Sequence, residues 1–327
     1  MPLLASYMQV FMRAAGEFIV QFFPLFLFGA VFGKLMEDTG SAEALARGMV
    51  DRLGADRSIL AVVLACAVLT YGGGSLFVVA FAVYPVAAAL FRQADIPKRL
   101  IPGALSLGAF TFTMSALPGT PAIPNAIPMP FFGTTAFAAP GLGIITAAVM
   151  LGFGLWWLTW REQRLKVAGE GYGAADAAMP KPDKALREQA QSEGFDLMEI
   201  GEHPAPPGTP MPSFALAIAP VVVVVVVNLL FTALIIPRMD TSYLALPLFG
   251  ETDIDTVRGI WAIVMALLVA IVVMTAVNRS RIANLARTLD DGANASVAPI
   301  FNTASLVGFG AVVAALAAFE TIRNAVL

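Results

Sequence analysis

The sequence has one cysteine and one histidine in 327 residues. Cys66 stands in an apolar run with no second thiol to pair with, so no internal disulfide frames the fold and the redox compartment is not written in the chain. It reads as a small buried hydrophobe. His203 lies in a proline-rich stretch and reads as a solvated side chain. No His/Glu spacing suited to a metal, no Ser/His pair and no pair of aspartates falls in the apolar segments, which sets intramembrane enzymes aside and implies no cofactor. Charge is scarce as well: Asp, Glu, Lys and Arg make up 13% of the residues, against roughly 25% in soluble domains. The 20 basic residues are dispersed among loops at a net charge of −3, so no basic stripe exists for nucleic acid. The first apolar segment is too long to be a signal peptide.

Apolar runs fill the space those absences leave. The chain is 58% hydrophobic with a mean hydropathy of +0.78, the composition of an integral membrane protein with lipid as its surroundings. One stretch organises the rest: Leu64 to Val79, where Gly72, Gly73 and Gly74, flanked by Thr70 and Ser75, cut an apolar run. The arm from Ser58 to Tyr71 is roughly 21 Å of helix, shorter than a hydrocarbon core of about 30 Å. Both outer ends are basic, Arg47, Arg52 and Arg57 before and Arg92, Lys98 and Arg99 after. Positive segments favour the cytoplasm, so residues 58–91 read as a re-entrant hairpin with a polar tip at membrane depth. Open backbone survives there only inside protein or beside a wet cavity.

Around that hairpin the chain divides into a first transmembrane repeat over 1–160, a soluble cytoplasmic linker over 161–212, and a second, incomplete repeat over 213–327. The first repeat opens with a spanning helix from about Met8 to Gly33, in which Arg13 and Glu17 stand one turn apart; Glu17 is the one candidate for proton coupling. Ala42 to Leu53 reads as a surface amphipathic helix capped by Ser41. Residues 99–139 read as a broken helix, because Pro118, Pro121, Pro124, Pro128 and Pro130, with Pro102 upstream, exclude a continuous one. Thr111, Thr113, Ser115, Thr120 and Asn125 decorate the break. Residues 140–160 return across the membrane and end in Trp156, Trp157 and Trp160 beside Arg161 and Arg164, an interfacial belt.

In the second repeat, Phe214 to Ile236 spans with a valine run stopped by Asn228, the acidic segment 238–258 suits the outer face, and Gly259 to Val277 returns to Arg279, Arg281 and Arg287. Segments 34–57, 92–99, 161–212 and 279–291 then share one side. Ala295 to Phe319 carries Asn302, Thr303 and Ser305 followed by Gly308 and Gly310, which repeats the first polar, glycine-bearing tip and predicts a second hairpin. Doubling of this kind is the trace of the internal repeats of secondary transporters, here an inverted one. The fold class is therefore an all-α polytopic helical bundle with re-entrant hairpins and broken helices. No fixed positive charge falls in the expected core.

At TYGGGSLFVVAFAVYP (Thr70 to Pro85), DIPKRLIPGALSLGAFTFTMSALPGTPAIPNAIP (Asp95 to Pro128) and FNTASLVGFGAVV (Phe301 to Val313), the chain resembles the gluconate permease family, a branch of the ion transporter superfamily. The resemblance implies a multi-pass protein of the bacterial inner (plasma) membrane. It also implies a proton-driven symporter of gluconate or a related sugar acid, with a dimer-forming scaffold and a transport part built from two hairpins and two broken helices. Family members begin earlier and continue past Leu327, so the chain reads as shortened at both ends.

A carboxylate within the membrane needs donors, and backbone amides at half-helix ends provide them with a favourable dipole. Gly72, Gly73 and Gly74 admit close approach to the main chain. Thr70, Ser75, Thr113, Ser115, Pro118, Gly119, Thr120, Asn125, Asn302, Thr303 and Ser305 complete the expected substrate site, with hydroxyls and amides for a polyol acid. Two alternatives stand beside it: a symporter of the same architecture for another organic anion of the citrate, glycerate or lactate type, and a non-transporting membrane protein.

Overall fold

The computed structural model describes residues 2–54, 57–72, 76–173, 211–316 and 318–319. Among these residues there is no strand. Helix α1 runs over Leu3–Asp38, with a π-helical turn at Ser6–Phe11. It is followed by α2 (Ser41–Leu53), α3 (Ser58–Tyr71) and α4 (Leu76–Gln93). A short helical run comes next: α5 (Ile101–Ala109), α6 (Phe112–Ser115), α7 (Ile123–Ala126) and α8 (Met129–Phe132). The long helices α9 (Pro140–Val167), α10 (Phe214–Leu230), α11 (Ile254–Val277) and α12 (Leu285–Ala314) complete the chain. Five helical stretches have the length and apolar character to cross a membrane: Leu3–Asp38, Pro140–Val167, Phe214–Arg238, Ile254–Val277 and Leu285–Ala314. The protein is a multi-pass helical membrane protein.

Helix α3 is apolar on every side, and every side is covered, the expected state of a helix with no polar face. Ile59, Val62, Val63, Cys66 and Leu69 are all buried beneath α2, α4 and α5. Helices α3 and α4 pack on each other, and α5 lies against both. The tip between them, with Gly73, Gly74 and Ser75, lies outside the described residues.

Helix α2 is amphipathic as expected, but its small apolar face, Ala42, Leu45 and Ala46, is buried against α3 and α10 rather than left for a lipid surface. Ser41 does not cap it. The preceding residue is Gly40 at φ 69°, and the Ser41 hydroxyl shares a 2.8 Å hydrogen bond with Thr39. A left-handed glycine bends the chain more sharply than a capping serine allows, so the hydroxyl turns back towards α1.

The second hairpin is absent among the described residues. Leu285–Ala314 is one unbroken helix of 30 residues that packs along the length of α1. Its glycines serve that packing: a Cβ on Gly292 would lie 2.7 Å from the Val31 Cα, and one on Gly308 would lie 2.8 Å from the Phe11 carbonyl oxygen. Small residues let two membrane helices approach closely, and van der Waals contact then holds them. Where α1 ends, Thr288 donates to Asp38 at 2.6 Å and Lys34 pairs with both Glu37 (3.4 Å) and Asp38 (3.3 Å).

Contacts at the chain's basic ends group them as the charge pattern requires. Arg52 stacks 3.6 Å over the Phe214 ring, which joins the 34–57 segment to the start of α10. Lys166 donates to the Ala94 carbonyl, Arg99 pairs with Glu170 at 2.7 Å, and the Tyr172 amide donates to Asp95. The 92–99 segment and the end of α9 therefore share one face. Trp156, Trp157 and Trp160 cluster near that end of α9, with Arg164 4.4 Å over Trp160.

Candidate functional site

The break in the first half is real and has a local cause. Helix α5 stops at Ala109, and Thr111 (φ −116°, ψ −111°) turns the backbone out of helical geometry. The hydroxyls around it answer carbonyls near the break: Thr111 donates to Leu107 at 2.6 Å, Thr113 to Gly108 at 2.8 Å and Ser115 to Thr111 at 3.1 Å. From Ser115 the chain runs non-helically to Ala122, because Pro118 and Pro121 lack amide protons and proline restricts the residue before it. Gly119 sits at φ +85°, and a Cβ there would lie 2.6 Å from the Phe137 ring. Only glycine fits that conformation in that space.

Three neighbours suspend this loop. The Tyr71 hydroxyl donates to the Pro118 carbonyl at 2.6 Å, the Gly119 amide donates to the Ala136 carbonyl at 2.7 Å, and the Gly119 carbonyl accepts from the Asn228 side chain at 3.3 Å. Thr120 is fully buried and accepts from the Ala122 amide, while Asn125 Nδ2 returns to the Thr120 carbonyl at 3.1 Å. Beside the loop a half-open cavity of about 250 Å³ is lined by Ser115, Leu117, Pro118, Asn125, Ala136, Ala139, Leu142, Gly143 and Thr146, among others.

Of the expected site, Ser115, Pro118 and Asn125 line this cavity. Gly119, Thr120 and Thr113 form or back its loop, the last two wholly buried. Thr70 is buried one residue before Tyr71, and its hydroxyl has no hydrogen-bond partner among the described residues. Gly72 ends α3 against Val221 of α10, where a Cβ would lie 2.6 Å from the valine. Gly73, Gly74 and Ser75 lie outside the described residues. The structure does not gather Asn302, Thr303 and Ser305 around the cavity. They ride on α12, where Thr303 donates to Pro299 at 2.9 Å and Ser305 to Phe301 at 2.8 Å, bonds within their own helix. Glu17 is also apart, paired with Arg13 at 2.9 Å on an exposed face of α1.

Sequence reasoning did not place Tyr71, Asn228, Thr232 or Arg258 at this site. Asn228 was visible only as a polar stop after seven valines. Arg258 read as the edge of the outer segment, yet it is half-buried and donates through Nε and Nη2 to the Thr232 carbonyl. A fixed positive charge therefore reaches the neighbourhood of the loop, against the expectation of none. Among the described residues no group of three or more His, Cys, Asp and Glu is placed to hold a metal ion.

A buried, proline-broken segment that lines a polar cavity inside a bundle of membrane-spanning helices is the architecture of a permease-type membrane protein. Residues 4–150 match the family described as GntP family permease, and the chain belongs to that family. It is also 40% identical, over 329 residues, to YxjC of Bacillus subtilis (strain 168), described as an uncharacterized transporter. That match covers 99% of this chain and 66% of the relative, so the chain spans slightly less than two thirds of that relative's length. No solved structure matches. These similarities place the protein in the bacterial inner (plasma) membrane as a multi-pass chain.

Proposed function

We propose that the chain forms the substrate-binding part of a secondary active transporter that carries gluconate or a related hydroxy-carboxylate, coupled to protons. The carrying observation is the unwound Ser115–Ala122 segment beside the 250 Å³ cavity, which has hydroxyl and amide groups but no acidic side chain in its lining. The volume is near the lower end of ligand sites, which begin at about 300 Å³, and suits a short acid. Ser115 and Asn125 offer hydrogen bonds to substrate hydroxyls, and Thr70 and the Gly72–Ser75 tip approach from the α3 side through Tyr71. Asn302, Thr303 and Ser305 would join the site only in a different packing of α12. Glu17 is exposed and paired, so proton entry on the substrate's own carboxyl is the simpler coupling. The scaffold is proposed to dimerise. Transport rather than catalysis is the function that the family and the relative's description support.

Proteoliposomes with an imposed pH gradient test the reading. Labelled gluconate should accumulate only with the gradient, and unlabelled gluconate should compete better than citrate, glycerate or lactate. Better competition by one of those three would reassign the cargo to another organic anion. Uptake of none, by the chain as it is and extended at both ends, would refute the transporter.

A further inference from the structure

Asn228 is a wholly buried amide in an otherwise aliphatic helix. Such a group is tolerated only with its donor and acceptor both engaged. Here they face different elements. Nδ2 donates to the Gly119 carbonyl at 3.3 Å, across 109 residues of sequence, and Oδ1 accepts from the Thr232 hydroxyl at 3.4 Å, one turn along. The Thr232 carbonyl in turn receives Nε and Nη2 of Arg258 on α11. That carbonyl is open because α10 loosens into a π turn over Phe231–Ile235: the Ile236 amide goes to Phe231, and Pro237 has none to give. Of the three points that suspend the loop, Tyr71 and Ala136 belong to the first half of the chain. Asn228 alone belongs to the second.

We infer that Asn228 is the positioning residue of the Pro118–Thr120 loop. The run Arg258–Thr232–Asn228–Gly119 carries the relative position of α10 and α11 to the loop beside the cavity. Its bearing on transport rests on the reading of that cavity as the substrate site, but the contact itself does not.

A cysteine probe separates the two. Cys66 is the single cysteine and is buried, so Cys66→Ala gives a blank background. Ser115→Cys then reports the loop, and Ser242→Cys, in the exposed outer segment, serves as control. Labelling by a water-soluble maleimide is timed in membranes. Asn228→Leu should change the Ser115→Cys rate by about threefold or more, the scale of one lost hydrogen bond, with Ser242→Cys unchanged. Thr232→Val should shift it less and in the same direction, and should add nothing to Asn228→Leu, since it acts through Asn228. An unchanged Ser115→Cys rate in both variants, or strictly additive shifts, would overturn the assignment. Should Asn228→Leu fail to reach the membrane, Thr232→Val decides alone by the same criterion. A labelling shift in a chain that takes up no organic acid would keep the positioning role and remove the transport reading.

Discussion

At the scale of single residues, Gly119 is the most constrained position near the cavity. Its φ of +85° lies where side chains are disfavoured, and the Phe137 ring occupies the place of a Cβ. Gly119→Ala should therefore destabilise the protein by roughly 1–2 kcal/mol from backbone strain alone, read as a lower unfolding temperature in detergent. Thr120→Ala tests chemistry instead. It removes the acceptor for the Ala122 amide at a fully buried position, and should abolish uptake of the acid while membrane insertion is retained. Normal uptake kinetics in that variant would remove Thr120 from the site. Gly119 and Thr120 were legible in the sequence because proline and glycine act locally, through a missing proton and a missing Cβ. Tyr71 and Asn228 were not, since their roles depend on partners 47 and 109 residues away.

Among the elements, α12 shows where sequence reasoning meets its limit. A row of Gly, Ser and Thr in an apolar segment marks either an opened backbone or a close helix contact, and the letters are the same for both. The difference lies in what the neighbour offers, here the backbone of α1 at Val31 and Phe11. Gly308→Leu should separate α1 from α12 and lower thermal stability, whereas Gly310→Leu, where a Cβ meets open space, should be tolerated. Helix α11 carries a pH-sensitive start. Asp253 Oδ1 accepts from the Thr256 amide at 2.8 Å, and that bond holds its carboxyl below the usual carboxylate value. A depressed carboxyl stabilises the fold above its ordinary pKa, and the contribution is lost as pH falls through the lowered value. The first turn of α11 should thus loosen only in acid, and Asp253→Asn, which keeps an acceptor but does not titrate, should abolish that pH dependence in hydrogen exchange of the Thr256 amide.

Across the whole molecule, the contacts of Arg52 with Phe214 and of Arg99 with Glu170 bind basic ends that lie far apart in sequence. In intact cells, cysteines at Arg47, Arg99 and Arg279 in the Cys66→Ala background should be shielded from an impermeant thiol reagent, while one at Ser242 should react. Reaction at Arg47 or Arg99 but not at Ser242 would invert the topology. Much of this layout was readable beforehand, because lysine and arginine are counted the same way whatever the helices between them do.

The clasp between Asp38 and Thr288 has a consequence for biogenesis. The bonded side chains are 250 residues apart, which at 5–20 residues per second is about 12–50 s of translation. The first helix to leave the ribosome thus waits longest for its mate, with Lys34, Glu37 and Asp38 in provisional company. Final closure of the bundle is an event of late synthesis, and nascent chains arrested before residue 288 should show those three side chains still open to solvent.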